Sequence, residues 1–213
     1  MVRVDDVVLP VPGARTPYRV FRPLQARERF DGVARVCLAL DDARPSLVAA
    51  LSVKTNPRAE LMALARERGF FAEVISADEL RWAVECGFSR DRTIYNGPQP
   101  LPDDLVADPP AIVFADSIEA LIGNAGRAVG RVRGVRLRPS MLDSRFGVPV
   151  EEDHRLAEVV AATPDGTAVG VSFHARREDF GTANWRDVAA DVVERAAALQ
   201  ARSGRTVVAF DPG

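Results

Sequence analysis

Short runs of apolar and β-branched residues recur along the chain, each about the length of a buried strand. There are seven such runs, at residues 50–54, 72–76, 93–96, 111–115, 134–138, 168–174 and 206–210. Several intervening segments carry apolar residues three and four positions apart, as on one face of a helix. Strands that alternate with helices predict a parallel sheet, because parallel neighbours need a crossover connection.

Three intervening segments carry the helix pattern most clearly, at residues 57–68, 116–125 and 184–203. In the last of these, Asn184 is suited to cap the first turn and Gly204 to end the helix. The apolar positions expected to face the core are Leu61, Leu64 and Ala65, then Ile118, Leu121 and Ile122, and finally Trp185, Val188, Val192, Ala196 and Leu199.

Two architectures fit this alternation, a doubly wound sheet and a closed (β/α)8 barrel, and periodicity does not separate them. The seven strands lie in order, and the 213 residues end directly after the seventh. A complete barrel typically needs about 250 residues. We therefore expect residues 1–213 to form an α/β fold of the (β/α)8 TIM-barrel type, incomplete at its C-terminal end.

Charge and composition limit the kinds of molecule that the protein is expected to bind. The net charge is −2 and charged residues make up 27% of the chain. Acidic and basic residues are interspersed, whereas nucleic acids and anionic membranes select a concentrated basic face. No apolar run approaches the roughly 20 residues that span a bilayer. We expect a cytoplasmic protein that binds neither nucleic acid nor membrane, with Cys37 and Cys86 as reduced core thiols and no metal site.

Lys54 is the candidate for chemistry. Working residues of a parallel barrel emerge at the carboxyl ends of its strands, and Lys54 ends an otherwise apolar strand. Lysine is rarely buried without a reason. Position alone leaves two interpretations open. One is an ion pair with Glu73 or Glu79. The other is an amine desolvated among apolar neighbours, whose uncharged form attacks an aldehyde.

Several short motifs occur in order between about residue 16 and the last residue. Together they resemble the diaminopimelate, ornithine and arginine decarboxylase family, the fold type III pyridoxal-phosphate enzymes. The matching strings are Thr16-Pro17, LSVKTNP at 51–57, GFFAEVISADEL at 69–80, NGP at 96–98, FADSIEAL at 114–121, VRLRP at 135–139, SRFG at 144–147 and GVSFHA at 170–175.

The resemblance implies a role for each matching residue. Lys54 would bind pyridoxal 5'-phosphate as a Schiff base, and His174 would stack on the pyridine face. Arg136 would line the pocket. Gly213 would begin the glycine-rich loop whose backbone N–H groups cradle the cofactor phosphate. The other matching pocket positions are Glu73, Ser76 and Glu79.

The chain also departs from the family pattern. Glu73 stands where the family has Asp, and Arg145 replaces the signature lysine. Arg176 and Arg177 follow His174, where the family usually has Gly-Ser; an arginine could still contact phosphate. The eighth strand and the C-terminal β-domain have no counterpart, so residues 1–213 alone are expected to have little activity.

The resemblance implies decarboxylation of a diamino acid or a related amino acid, by a homodimer when full length. Two other interpretations stay open, an amino-acid racemase and a non-catalytic pyridoxal-phosphate-binding barrel. Taken alone, His174 is more typical of a buried core histidine whose hydrogen bonds are satisfied. Asp116 and Ser117 are interpreted as a helix cap.

Overall fold

The computed structural model describes residues 2–4, 7–9, 21–40, 47–124, 131–164, 167–175 and 184–213. The chain divides into two compact units, Met1–Ala72 and Glu73–Gly213.

The first unit opens with a small antiparallel pair, in which strand β1 (Val2–Val4) lies against β2 (Val7–Leu9). Its later elements are α1 (Pro23–Ala39), β3 (Ala50–Ser52), a 3-10 turn (Val53–Thr55), α2 (Ala59–Glu67) and the start of β4 (Phe71–Val74). The two helices are joined by an ion pair of Arg68 with Asp31 and by the rings of Phe30 and Phe70, whose centroids are 5.2 Å apart.

The second unit contains the rest of β4, and its described residues form further α-helices and strands. They are α3 (Ala77–Glu85), β5 (Thr93–Tyr95), α4 (Asp103–Val106), β6 (Ile112–Ala115), α5 (Ile118–Gly123), β7 (Val132–Arg136), α6 (Asp153–Ala161), β8 (Ala168–Ser172), α7 (Trp185–Ser203) and β9 (Val207–Asp211).

The strand order decides between the two predicted architectures. The main sheet runs β3-β4-β5-β6-β7-β8-β9 in chain order, and its strands are parallel. A doubly wound sheet reverses its order at a switch point, whereas a barrel adds each strand beside the preceding one. All seven predicted strands are confirmed, and the fold is that of an incomplete (β/α) barrel.

The two faces of the sheet in the second unit bury different residues. One face packs on α6 and α7 through a core that includes Val135, Val171 and Phe173. The opposite face, called the inner face below, carries Phe114 and Gly134. A Cβ added to Gly134 would lie 2.0 Å from the Phe114 ring, so glycine is required there. The side chains therefore alternate between the faces as expected for strands.

Several predicted core positions differ from the structure. Met62 takes the buried place of Leu61 on α2, because the apolar stripe is turned by one residue. Ile122 is 48% exposed, since it lies beside the buried stripe of the short helix α5. Trp185 is 54% exposed in the first turn of α7, where its ring is tilted by 40° to that of Phe173 with the centroids 6.3 Å apart.

The two cysteines are only half-buried, so the prediction of core thiols is wrong. Cys37 lies on α1, a helix that buries none of its residues, and Cys86 ends α3. Within the described residues, no group of His, Cys, Asp and Glu has a metal-binding arrangement. No helix in that part of the chain is long and apolar enough to cross a membrane.

Candidate functional site

Four polar side chains form a row across the carboxyl ends of β6 to β9 on the inner face. We call Asp116, Arg136, Ser172 and Asp211 the polar row. Strand register places them side by side: Arg136 pairs with Ser172, and Ser172 pairs with Asp211. Asp116 follows Ala115, the partner of Val135, and therefore lies next to Arg136. Carboxyl ends of barrel strands are where catalytic groups collect.

The first two members of the polar row form an ion pair shielded from solvent. Arg136 Nη1 donates to Asp116 Oδ1 over 3.3 Å, and the two side chains are 15% and 16% exposed. Burial lowers the pKa of Arg136, and the charge of Asp116 only partly offsets it. Burial likewise raises the pKa of Asp116, against the charge of Arg136 and a hydrogen bond from the Gly147 amide.

Asp211 is the second carboxylate of the polar row. Burial raises its pKa, although the Gly213 amide, His174 and Arg136 each act to lower it. Gly213 N donates to Asp211 Oδ1 over 3.0 Å. The carboxyl group of Asp211 therefore keeps its proton to a higher pH than an ordinary aspartate does.

Ser172 lies between the two charged ends of the row. It is fully buried, and its Oγ has no hydrogen-bond partner among the described residues. A buried hydroxyl without a partner is uncommon, because it loses its water without compensation. The row thus contains an unused hydrogen-bonding group beside Arg136.

A bulge in β9 brings Asp211 to the inner face. Val169 pairs with Val207 but Gly170 pairs with Ala209, so Val208 is an extra residue in the ladder. An extra residue reverses the alternation of side chains beyond it. Without it, Asp211 would share the face of Val207, which packs on the helical side.

Gly213 lies against the predicted ring-stacking histidine. Its φ is +87°, and an added Cβ would lie 2.9 Å from His174 Nδ1 and 2.8 Å from the carbonyl oxygen of Phe173. Only glycine fits this backbone without strain. In this structure the Gly213 amide, predicted to hold a phosphate, donates to Asp211 instead. Its phosphate role stays a prediction.

Ser76 and Glu79 organise the start of α3. Ser76 Oγ accepts from Glu79 N over 3.2 Å, and Glu79 Oε2 accepts from Ile75 N over 2.8 Å. This reciprocal arrangement resembles a capping box and satisfies amides that the first helical turn leaves unpaired. Glu73, on β4, contributes to the electrostatic environment of Arg136. The cofactor roles of these three residues stay predictions.

Lys54 lies in the first unit, in the 3-10 turn that directly follows β3. The Thr55 hydroxyl donates to the Ser52 carbonyl over 2.7 Å and closes this turn. Val53 occupies the buried position with 0% exposure, whereas Lys54 is exposed. The prediction that Lys54 is desolvated among apolar neighbours is therefore wrong, because the strand ends two residues earlier than predicted. Its position after the carboxyl end of β3 agrees with the sequence analysis.

Residues 138–148, called the return loop below, fold back on the end of β7. Val148 N donates to the Arg136 carbonyl over 2.8 Å. The Phe146 ring lies 5.2 Å from Arg136 Cζ, within the range of a cation–π contact. The Arg145 guanidinium covers the same ring at 4.7 Å. Gly147, at a φ of +85°, has no room for a Cβ, which would lie 2.9 Å from Arg138 N.

Three members of the polar row were not selected as site residues from the sequence. Asp116 was interpreted as part of a cap, but the cap of α5 is Ser117, whose Oγ accepts from Ala120 N over 3.1 Å. Ser172 and Asp211 had a usable signal, since each is the last residue of its strand and polar. Thr16-Pro17 and the pair Arg176-Arg177 lie outside the described residues.

Known proteins similar to this chain are amino-acid decarboxylases. The diaminopimelate decarboxylase of Zymomonas mobilis is 24% identical over 232 residues, covering 99% of this chain and 54% of that protein. Together with the strand order, this match makes the chain similar to the fold type III pyridoxal-phosphate-dependent decarboxylases. No family model matches the sequence.

Solved structures of this family share the fold. An arginine decarboxylase of Paramecium bursaria Chlorella virus, solved with agmatine bound, superposes with a TM-score of 0.65 at 18% identity. The match covers 87% of this chain and 51% of that protein. A mutant of SrLDC in complex with PLP gives a TM-score of 0.65 at 21% identity, covering 86% of this chain and 48% of that one. The chain thus spans about half the length of these relatives.

Proposed function

We propose that residues 1–213 are the cofactor barrel of a pyridoxal-phosphate-dependent amino-acid decarboxylase, with Lys54 as the residue that holds the cofactor. The observation that carries the proposal is that Lys54 is the only lysine, although Lys and Arg together number 28. Every other basic position is arginine, which stays charged in proteins. An amine that loses its proton is the property that lysine has and arginine lacks.

The residues of the second unit fit an aromatic, anionic cofactor. Arg136 supplies a fixed cation that pairs well with anionic oxygens. The partnerless hydroxyl of Ser172 supplies a hydrogen-bonding group already stripped of water. Gly213 leaves backbone directly accessible beside the His174 ring. When bound, pyridoxal phosphate provides an electron sink for the pair released as CO₂ leaves.

The chain's own groups would divide the remaining work. Lys54 would be the residue whose amine holds the cofactor, and His174 would present a ring face for stacking. The Asp116–Arg136 ion pair keeps its charges fixed in advance, which avoids reorganisation during reaction. Burial raises the pKa of Asp211, which would favour the form of its carboxyl group that donates a hydrogen bond. Glu73, Ser76 and Glu79 complete the proposed pocket.

The substrate proposed is a diamino acid or a related amino acid, and the complete enzyme is proposed to be a cytoplasmic homodimer. The substrate class rests on the relatives named above, and the cytoplasmic homodimer rests on the resemblance described in the sequence analysis. The racemase and the non-catalytic barrel are the competing functions. Both would share the cofactor with a decarboxylase. A racemase would form the inverted amino acid, and a non-catalytic barrel would form no product.

The test uses the full-length protein loaded with pyridoxal phosphate. Borohydride reduction followed by peptide mass spectrometry should place the pyridoxyl group on Lys54. The variant Lys54→Arg keeps the charge and should lose both the visible absorbance and the label. Diaminopimelate, lysine, ornithine and arginine are then assayed for CO₂ release and for inversion at Cα. A label elsewhere would refute the role of Lys54, and inversion without CO₂ would assign a racemase.

A further inference from the structure

Arg195 is a buried arginine of α7 that the proposed chemistry does not use. Its side chain is only 7% exposed. Arg195 Nε donates to Asp153 Oδ2 over 3.0 Å, and Nη2 donates to Asp153 Oδ1 over 2.5 Å. This bidentate pair joins α7 to α6. A planar guanidinium is suited to such a two-bond contact, and lysine is not.

The remaining donors of Arg195 reach both ends of the return loop. Nη1 donates to the Arg138 carbonyl, and Nη2 donates to the Val148 carbonyl over 3.1 Å. One helical turn earlier, Asp191 accepts from Ser140 N over 2.8 Å and from Ser140 Oγ over 2.5 Å. Helix α7 therefore holds the return loop at its first residue, near its start and at its last residue.

The return loop is also what supports the Asp116–Arg136 pair. It brings the Phe146 ring to 5.2 Å from Arg136 Cζ, and the Gly147 amide donates to Asp116. A displacement of the loop would change the surroundings of both charged groups. Arg195 touches neither of them, so any effect on them passes through the loop.

Stability alone does not account for Arg195. Replacing a buried ion pair by apolar residues of similar size is often neutral or stabilising, because both charges lose their hydration on burial. All three guanidinium nitrogens of Arg195 donate hydrogen bonds that fix the geometry around one loop. We infer that Arg195 is a positioning residue, which sets Arg136 and Phe146 for cofactor binding by fixing both ends of the return loop. The inference rests on the proposed function.

The chain offers a matched control. Arg205 also bridges two backbone carbonyls, donating to Ala161 O over 3.3 Å and to Thr163 O. It lies at the start of β9, far along the sheet from the return loop, and it too joins a segment next to α7 to the end of α6. Arg205→Met therefore removes a similar bridge without reaching the proposed site.

The experiment compares Arg195→Met, Arg195→Lys and Arg205→Met in the full-length protein. Apoprotein is titrated with pyridoxal phosphate, and amide hydrogen exchange is followed across residues 140–148. Arg195→Met should raise the Kd of the cofactor by about tenfold or more, as misplacement of a supporting shell commonly does. It should also accelerate exchange in the loop. Arg195→Lys should give intermediate values of the cofactor Kd and of the exchange rate. Arg205→Met should change neither quantity, even where it lowers the melting temperature as much as Arg195→Met does.

Unchanged affinity and unchanged exchange in Arg195→Met would overturn the inference, even with a lower melting temperature. If Arg195→Met does not fold, Arg195→Lys alone decides, since it keeps the charge but loses the bidentate geometry. A wild-type protein that binds no pyridoxal phosphate would refute the proposed function instead. Exchange in the loop would then still show whether Arg195 fixes it.

Discussion

The Asp116–Arg136 pair gives the sharpest test of the electrostatics described above. In Arg136→Met, the carboxylate of Asp116 keeps its burial but loses its cation. The lost charge-assisted hydrogen bond and the lost contact with Phe146 together cost about 2–4 kcal/mol at pH 7. The figure lies below that for a fully buried pair, because each side chain remains about 15% accessible to water.

The cost should depend on pH in a defined direction. Burial already raises the pKa of Asp116 above the ordinary value of 3.8. For such a group, stability is fully present below the unfolded pKa and is lost as pH rises through the folded pKa. Arg136 limits this loss by lowering the pKa of Asp116, so its removal enlarges the loss. The destabilisation by Arg136→Met should therefore be larger at pH 7 than at about pH 3.

Urea unfolding of the full-length protein without cofactor measures this effect. The matched control is Arg155→Met, which breaks exposed ion pairs with Glu119 at 2.8 Å and Glu152 at 3.2 Å and should leave the free energy of unfolding nearly unchanged. Adding Asp116→Asn to Arg136→Met should recover part of the loss, because the unpaired charge disappears. A cost that is equal at both pH values, or no recovery in the double variant, would contradict the reasoning.

Three further outcomes are expected. Gly97→Ala should destabilise the protein by about 2 kcal/mol or more, because its Cβ would lie 2.4 Å from the Ile75 carbonyl oxygen. The control Gly123→Ala places no atom within 4 Å of the new Cβ and should be neutral or stabilising in the same thermal melts. Ser172→Ala should stabilise the cofactor-free protein by about 1 kcal/mol, by removing a buried hydroxyl without a partner, yet weaken cofactor binding in a titration. Asp211→Asn should raise the free energy of unfolding at pH 7 but not below pH 3.8, since burial raises the pKa of Asp211; a gain independent of pH would exclude this cause.

The predictable part of the fold was the part encoded by local pattern. All seven strands were located within a few residues, because each is a short β-branched run between polar segments. Asn184 and Gly204 were correct as the limits of α7, since a cap acts within one turn of its own residue. Ile122 and Trp185 were assigned to the core and are exposed. Periodicity predicts which side of a helix is apolar, but it does not predict how wide the buried stripe is or how far the surface packed against it extends.

The candidate site was only partly accessible to sequence reasoning. Arg136 could be selected from its motif, but its partner Asp116 was taken for a cap, since a carboxylate before a helix usually serves there. The partnerless hydroxyl of Ser172 depends on the whole environment of one oxygen atom. The hydrogen bond from Gly213 to Asp211 engages an amide that the motif assigns to phosphate. No local sequence pattern indicates which of two acceptors a backbone amide will contact.

The sequence by itself determined the strand–helix alternation, the order of the motifs and the choice of one lysine among many arginines. These are properties of neighbouring residues or of composition, and they are fixed before the chain folds. Tertiary structure decided which polar residues meet. The bulge at Val208 turns Asp211 to the inner face, and α7 holds the return loop through Arg195. Both depend on register and on contacts between residues far apart in the chain, which a linear pattern does not contain.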